Sequence, residues 1–165
     1  MIAESLICLA LNVYHEAKNQ SFIGQVAVAQ VVMNRVEDTR YPNNVCDVVK
    51  QGLTYKWKPT LPIKNRCQFS WYCDGKSDKP RNKEAMKIAL KVAYKVYHKK
   101  LDDFVEGATH YHAHYVNPSW AGTKTYVTRI DANLVGIVMA RVINQEKPKH
   151  GEMPCTLQMV CTMDT

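Results

Sequence analysis

The sequence predicts a single α+β domain, mostly helical, with long loops and a small β element. Three observations lead there. Three stretches repeat apolar residues at helical spacing, two others mix β-branched residues with turn residues, and 165 residues suffice for one domain with a real core. No internal repeat, low-complexity tract or linker divides the chain.

Residues 2–18 read as an amphipathic helix, with Leu6, Leu9, Ala10, Val13 and Ala17 on one stripe. Residues 22–37 read as the buried central helix, because Ile23, Val26, Ala27, Val28, Val31, Val32, Met33 and Val36 leave few polar positions. Residues 44–51 predict a short helix stopped by Gly52. From 53 to 79, Pro59, Pro62, Asp74-Gly75 and Ser77-Asp78 punctuate turns and short extended pieces. Residues 80–100 predict a third long helix, with Ala85, Ile88, Ala89, Val92 and Val96 inward and its lysines on a solvated face. Residues 102–122 form a loop-rich segment dense in aromatics and histidines. Residues 125–142 fit a strand, a helix or both, and the tail from Lys147 is expected to wrap the surface.

The net charge of +7 calls for an anionic partner: nucleic acid, an acidic membrane surface or an anionic wall polymer. A basic surface kept for solubility fits equally well. The first residues lack the basic-then-apolar order of a secretory signal, and the first apolar stretch is broken by Asn12, His15 and Glu16. Synthesis in the cytoplasm without membrane insertion is therefore expected. Six cysteines include no CxxC pair, which argues against a zinc ribbon. Cys46, Cys67, Cys73, Cys155 and Cys161 are open to disulfide pairing outside a reducing cytosol, with connectivity undetermined. Cys8, inside the first helix, reads as a small buried apolar residue.

Glu16 is the foremost candidate for chemistry. At roughly 100° per residue it lies nearly over Leu9 and beside Val13, at the edge of the apolar face. A carboxyl half-buried there loses solvation of its charged form, so its pKa is expected to rise and it can act as a proton donor near neutral pH. The bland alternative is a helix-edge acid turned to water.

Three segments set Glu16 in context. The first is His15-Glu16-Ala17-Lys18 with Gly24-Gln25-Val26-Ala27-Val28-Ala29 and Asn34-Arg35-Val36. The second is Cys67-Gln68-Phe69-Ser70-Trp71-Tyr72-Cys73, and the third is Ala108-Thr109-His110-Tyr111-His112-Ala113-His114-Tyr115 leading to Trp120. In this order they resemble the cell-wall hydrolase family typified by the catalytic domain of spore-cortex-lytic enzymes, which also occurs in phage endolysins. The resemblance covers about residues 4–130. It implies one lysozyme-like catalytic domain over residues 1–165, with a C-terminal extension over about 145–165, that cuts the glycan strands of peptidoglycan. It implies Glu16 as the catalytic acid, and a likeness to lytic transglycosylases, which cleave between N-acetylmuramic acid and N-acetylglucosamine. It implies no cofactor. A monomer released to the wall from the cytoplasm of a phage host is expected.

The residues agree with such chemistry. Hydrolysis by water calls for two carboxylates flanking the bond, and Glu37, Asp38 and Asp74 are the candidates for a second. Transglycosylation needs only one: Glu16 protonates the glycosidic oxygen, then takes the proton of the sugar's 6-hydroxyl as a 1,6-anhydro ring closes. Gln68 and Ser70 are candidates for hydrogen bonds to N-acetyl groups. Phe69 and Trp71 are sugar platforms or core, with one of the pair expected inward on a strand. Thr109, His110 and Tyr111 would line the opposite wall, and Tyr115 and Trp120 would add stacking surface. His110, His112 and His114 alternate as metal ligands can. No carboxylate or cysteine completes such a site in sequence, so they read as groove histidines and no metal is expected. Asn34 and Arg35 read as structural, because an arginine beside Glu16 would oppose an acid role.

Departures from the family pattern are visible. Relatives often carry an acid where His114 stands, and Arg129-Ile130 is followed by Asp131-Ala132-Asn133 instead of a Gly-x-His-aromatic pattern. Residues 52–66 form a longer connection with its own Tyr55 and Trp57. A non-catalytic glycan- or nucleic-acid-binding module is the alternative class, but no nucleic-acid motif is present and none is expected as a partner. Amidase or peptidase chemistry lacks a supporting constellation.

Overall fold

The computed structural model describes residues 1–130 and 137–142. Helix α1 (Ile2–Ala17) packs against α2 (Phe22–Glu37) and α4 (Lys83–Tyr97), and the short α3 (Val45–Val49) closes the cluster. The α2 helix is the core, and every residue from Val26 to Val32 is buried. The exception lies at its start, where Ile23 is 44% exposed. In α4 the inward stripe is Ala89, Val92, Ala93 and Val96, while Ile88, expected inward, is exposed. A rotation of the stripe toward Ala93 explains this: four small or β-branched residues let α4 approach α1 closely.

Side-chain caps set the helix starts. Ser21 accepts from Gly24 N, Asn44 from Asp47 N and Asn82 from Ala85 N. The Asn82 cap explains why α4 begins after Pro80, where the sequence pattern had it start. Tyr14 Oη accepts from both Arg81 N and Asn82 N at 3.1 Å, which pins that start to α1.

Residues 52–67, read from sequence as irregular pieces, form an antiparallel hairpin of β1 (Gly52–Tyr55) and β2 (Lys58–Cys67), bulged twice. Its base is tight: a Cβ on Gly52 would stand 2.9 Å from Cys67 Cα, so only glycine fits. The second sheet has the order β3 (His110–Ala113), β5 (Ile137–Val142), β4 (Lys124–Ile130), all antiparallel, so the segment left open between strand and helix forms strands. Ala113 and Ile130 both pair with Ile137.

Two disulfides link Cys8 to Cys46 and Cys67 to Cys73. Cys8 is buried as expected but is not a mere apolar filler; it ties α1 to α3, because the crossing brings its Cα to 5.3 Å from that of Cys46. Cys155, Cys161 and the tail from Lys147 lie outside the described residues.

Candidate active site

Glu16 occupies the last turn of α1 and is 5% exposed, more deeply placed than a helix edge suggests. Tyr111 Oη, on the buried strand β3, donates to its Oε2 at 3.2 Å. Among the described residues Glu16 is the one buried carboxylate. Burial of this kind costs the charged form its hydration.

A second set of contacts involves the residues around Glu16 on α1. Trp71 Nε1 donates to Asn12 Oδ1 at 2.9 Å, and Asn12 lies one helical turn before Glu16. The His15 ring stacks on Trp71 at 4.5 Å between centroids, and His15 Nε2 donates to the carbonyl of Asp78 at 2.9 Å. The disulfide Cys67–Cys73 closes the loop that carries Trp71. Asn12 and His15 were not picked out from sequence. A polar residue four places before Glu16 on an apolar stripe was the available signal.

Strand β3 is held by α2. Asn34 Nδ2 donates to Ala108 O and Arg35 Nε donates to Thr109 O, both at 2.9 Å. Arg35 is fully buried, with its guanidinium over the rings of Tyr41 and Phe69. The structural reading of both side chains therefore describes what they touch: the carbonyls that lead into Tyr111.

The remaining candidates divide by exposure. Gln68 and Phe69 are fully buried, and Phe69 packs in the core under Arg35 with no surface for a sugar. Trp71 is also buried, so neither ring of that pair is an open platform. The reason is local: residues 70–73 turn into a 3-10 helix, and the strand alternation expected to expose one ring is absent. Ser70 is partly exposed. Thr109, His110 and Tyr111 are buried beside one another, with Thr109 Oγ1 2.8 Å from His110 Nδ1. Trp120 is buried against the rings of His110 and His112. Tyr115 is 54% exposed and meets the His114 ring edge to face. His112 Nδ1 donates to the carbonyl of Ala113. His114 lies beyond the strand and is exposed, so the three alternating histidines do not share one environment.

The carboxylates considered as a second catalytic group are engaged elsewhere. Glu37 pairs with Lys99 at 2.9 Å. Asp74 accepts from Lys76 N in a turn. Burial works to raise Asp38, but hydrogen bonds and charge from Arg40 outweigh it and hold the carboxyl below its ordinary value. Asp78 is shifted the other way: burial raises it, and the nearby Asp74 adds to this against the pull of His15. On α1, Tyr14 and Lys18 line a surface cavity with Arg81, Lys83 and one acid, Glu84, which pairs with Lys87, so cations outnumber acids there.

The chain is 40% identical over 47 residues to the spore cortex-lytic enzymes of Halalkalibacterium halodurans and Bacillus subtilis. That segment is 28% of this chain but only 14% and 15% of those enzymes, so the chain matches a small part of either. Two solved structures share its fold. The catalytic domain of Bacillus cereus SleB has a TM-score of 0.56 at 23% identity, covering 84% of this chain and 91% of that one. The catalytic domain of the germination-specific lytic transglycosylase SleB from Bacillus anthracis also has 0.56, at 22% identity, covering 83% and 93%. The lysozyme-like, largely helical architecture read from the sequence is therefore observed. The profile of the cell wall hydrolase family matches residues 19–134, well over half of the chain. On that match, the chain belongs to the cell wall hydrolase family.

Proposed function

We propose that this protein degrades peptidoglycan by cleaving the bond between N-acetylmuramic acid and N-acetylglucosamine, as a lytic transglycosylase with Glu16 as acid and base. One observation carries the reading: Glu16 is the buried carboxylate of the described residues, and a phenol from the facing strand holds it. The lone carboxyl suits a reaction in which the substrate supplies its own nucleophile. Glu16 gives its proton to the glycosidic oxygen as the bond breaks. The resulting carboxylate accepts the proton of the muramic 6-hydroxyl, which attacks the anomeric carbon and closes the 1,6-anhydro ring. The engagement of Glu37, Asp38 and Asp74 with other partners supports this over a water-dependent route with two carboxylates. The cavity flanked by Lys18, Arg81 and Lys83 suits the carboxylates of wall peptides.

The biological setting we propose is an endolysin that meets the wall after release from a phage-infected cell. Two disulfides among the described residues support work outside a reducing cytosol.

Mass spectrometry of purified peptidoglycan digested by the wild type and by Glu16→Gln tests the reaction. The expected products end in 1,6-anhydromuramic acid, and the variant loses about 100-fold or more in rate, the usual share of a general acid. Free reducing ends would establish hydrolysis instead. Equal turnover by the variant would remove Glu16 from the mechanism.

A further inference from the structure

The hairpin of β1 and β2 has no part in the chemistry above, and its composition is unlike the rest of the surface. Residues 52–67 contain four cations, Lys56, Lys58, Lys64 and Arg66, and no acid. All four are exposed. Between them stand exposed apolar groups: Leu53, Tyr55, Leu61 and, at the turn, Trp57, which is 74% exposed. The rings of Tyr55 and Trp57 lie 5.6 Å apart and tilted, forming one aromatic tip flanked by Lys56 and Lys58.

Both faces of this hairpin look outward. Apart from Gly52, Pro62, Ile63 and Cys67 at its base and middle, every residue in it is exposed. A two-stranded hairpin with so little burial is marginal in water on its own. Here Gly52 against Cys67 and the disulfide to Cys73 hold its base to the body of the protein. A fold that fixes a hairpin without burying it retains an aromatic, cationic surface that packing does not explain.

We propose that this hairpin is a second binding site for peptidoglycan, gripping a glycan strand away from Glu16. The wall is named as ligand on the strength of the function proposed above. Sugar C–H faces pack on the Tyr55–Trp57 tip, and the interleaved lysines meet the carboxylates of the strand's peptides. Cations set between the rings argue for a polymer that offers apolar faces and negative charge in alternation. Such anchoring raises the local substrate concentration at Glu16 by making the second encounter intramolecular.

Binding tests this without turnover. The parent is the full chain carrying Glu16→Gln, sedimented with insoluble sacculi stripped of phosphate-bearing polymers. Two variants are added to it, Tyr55→Ser with Trp57→Ser, and Lys56→Gln with Lys58→Gln, and thermal melting confirms that each folds. Each is expected to weaken binding about ten-fold, as loss of one good stacking or charge contact does, and the parent's binding is expected to fall with salt. Unchanged binding by both folded variants would overturn the proposal. So would a parent that binds only unstripped sacculi, or that binds vesicles of phosphatidylglycerol and not the stripped wall. Products of wild-type digestion are measured separately, so failure of the hairpin and failure of the enzymatic reading give different results.

Discussion

Removing the two disulfides one at a time is expected to separate stability from turnover. The Cys8–Cys46 bond spans 38 residues and Cys67–Cys73 spans 6. Loop-closure entropy of the unfolded chain then assigns about 4 kcal/mol to the first and about 2 kcal/mol to the second. At this chain length each kcal/mol moves the melting midpoint by about 2–4 °C. Cys8→Ala with Cys46→Ala should therefore melt roughly 8–16 °C below wild type, and Cys67→Ala with Cys73→Ala roughly 4–8 °C below it. The order should reverse for wall lysis measured well under both midpoints. The short bridge encloses Gln68 to Tyr72, and through Trp71 that loop reaches Asn12 and His15 on the turn that presents Glu16. Loss of the long bridge frees α3 from the middle of α1, at Cys8, about two helical turns before Glu16, and leaves the Trp71 contacts in place. Circular dichroism melts and turbidity clearance on the same preparations measure both quantities. The reasoning fails if the short-bridge variant melts lower than the long-bridge variant, or if it clears walls at the wild-type rate.

Two further outcomes are expected. Asp38→Asn should cost about 1 kcal/mol at neutral pH by breaking its pairing with Arg40. Because the folded carboxyl sits below its ordinary 3.8, its contribution is present above that value and fades as pH falls through the folded one. Urea midpoints of wild type and variant should thus converge in acid, and a constant gap down to pH 2 would contradict this. Asn12→Ala should cost about 1–3 kcal/mol by leaving the buried Trp71 indole N–H without its acceptor. In a double-mutant cycle with Trp71→Phe, the pair should cost less than the sum of the singles; strict additivity would show that the bond couples nothing.

The helices were legible because their information is local. Apolar spacing places α1, α2 and α3 to within a residue or two, with Ser21 and Asn44 capping the latter two, and Asn82 shows why α4 starts later than its pattern. The strands were less legible. Leu53 to Ile63 do alternate apolar with polar, but Pro59 and Pro62 read as turn punctuation and hide the strand signal, and the apolar positions stay largely exposed. The burial of Glu16 was legible from its stripe, but Tyr111 was read as lining the substrate groove, and its bond to Glu16 depends on a strand that only the fold brings near. The depth of Phe69, Trp71 and Trp120 was not legible, since aromatic identity alone does not distinguish a platform from a core ring. Cys8 was misread for a related reason: burial and covalent pairing are compatible, and only the crossing of α1 with α3 reveals the partner.

Two contact networks meet the turn of α1 that carries Glu16, one through Tyr111 to Glu16 itself and one through Asn12 and His15, and they differ in kind. Toward β3 the support is polar and deep. Arg35 Nε fixes the Thr109 carbonyl, two residues before the tyrosine that donates to Glu16. A fully buried guanidinium is costly unless its hydrogen bonds and ring contacts offset the lost hydration. Its position on the most buried helix ties the β3 phenol to the part of the molecule least able to move. Toward the 3-10 turn the support is an indole, a disulfide and a stacked imidazole, nearer the surface and adjacent to the exposed hairpin. Cys67 ends the hairpin and begins this loop. The hairpin proposed to bind the wall and the covalent ring that carries Trp71 therefore meet at one residue, whereas the segment leading into Tyr111 is bonded to α2 through Asn34 and Arg35.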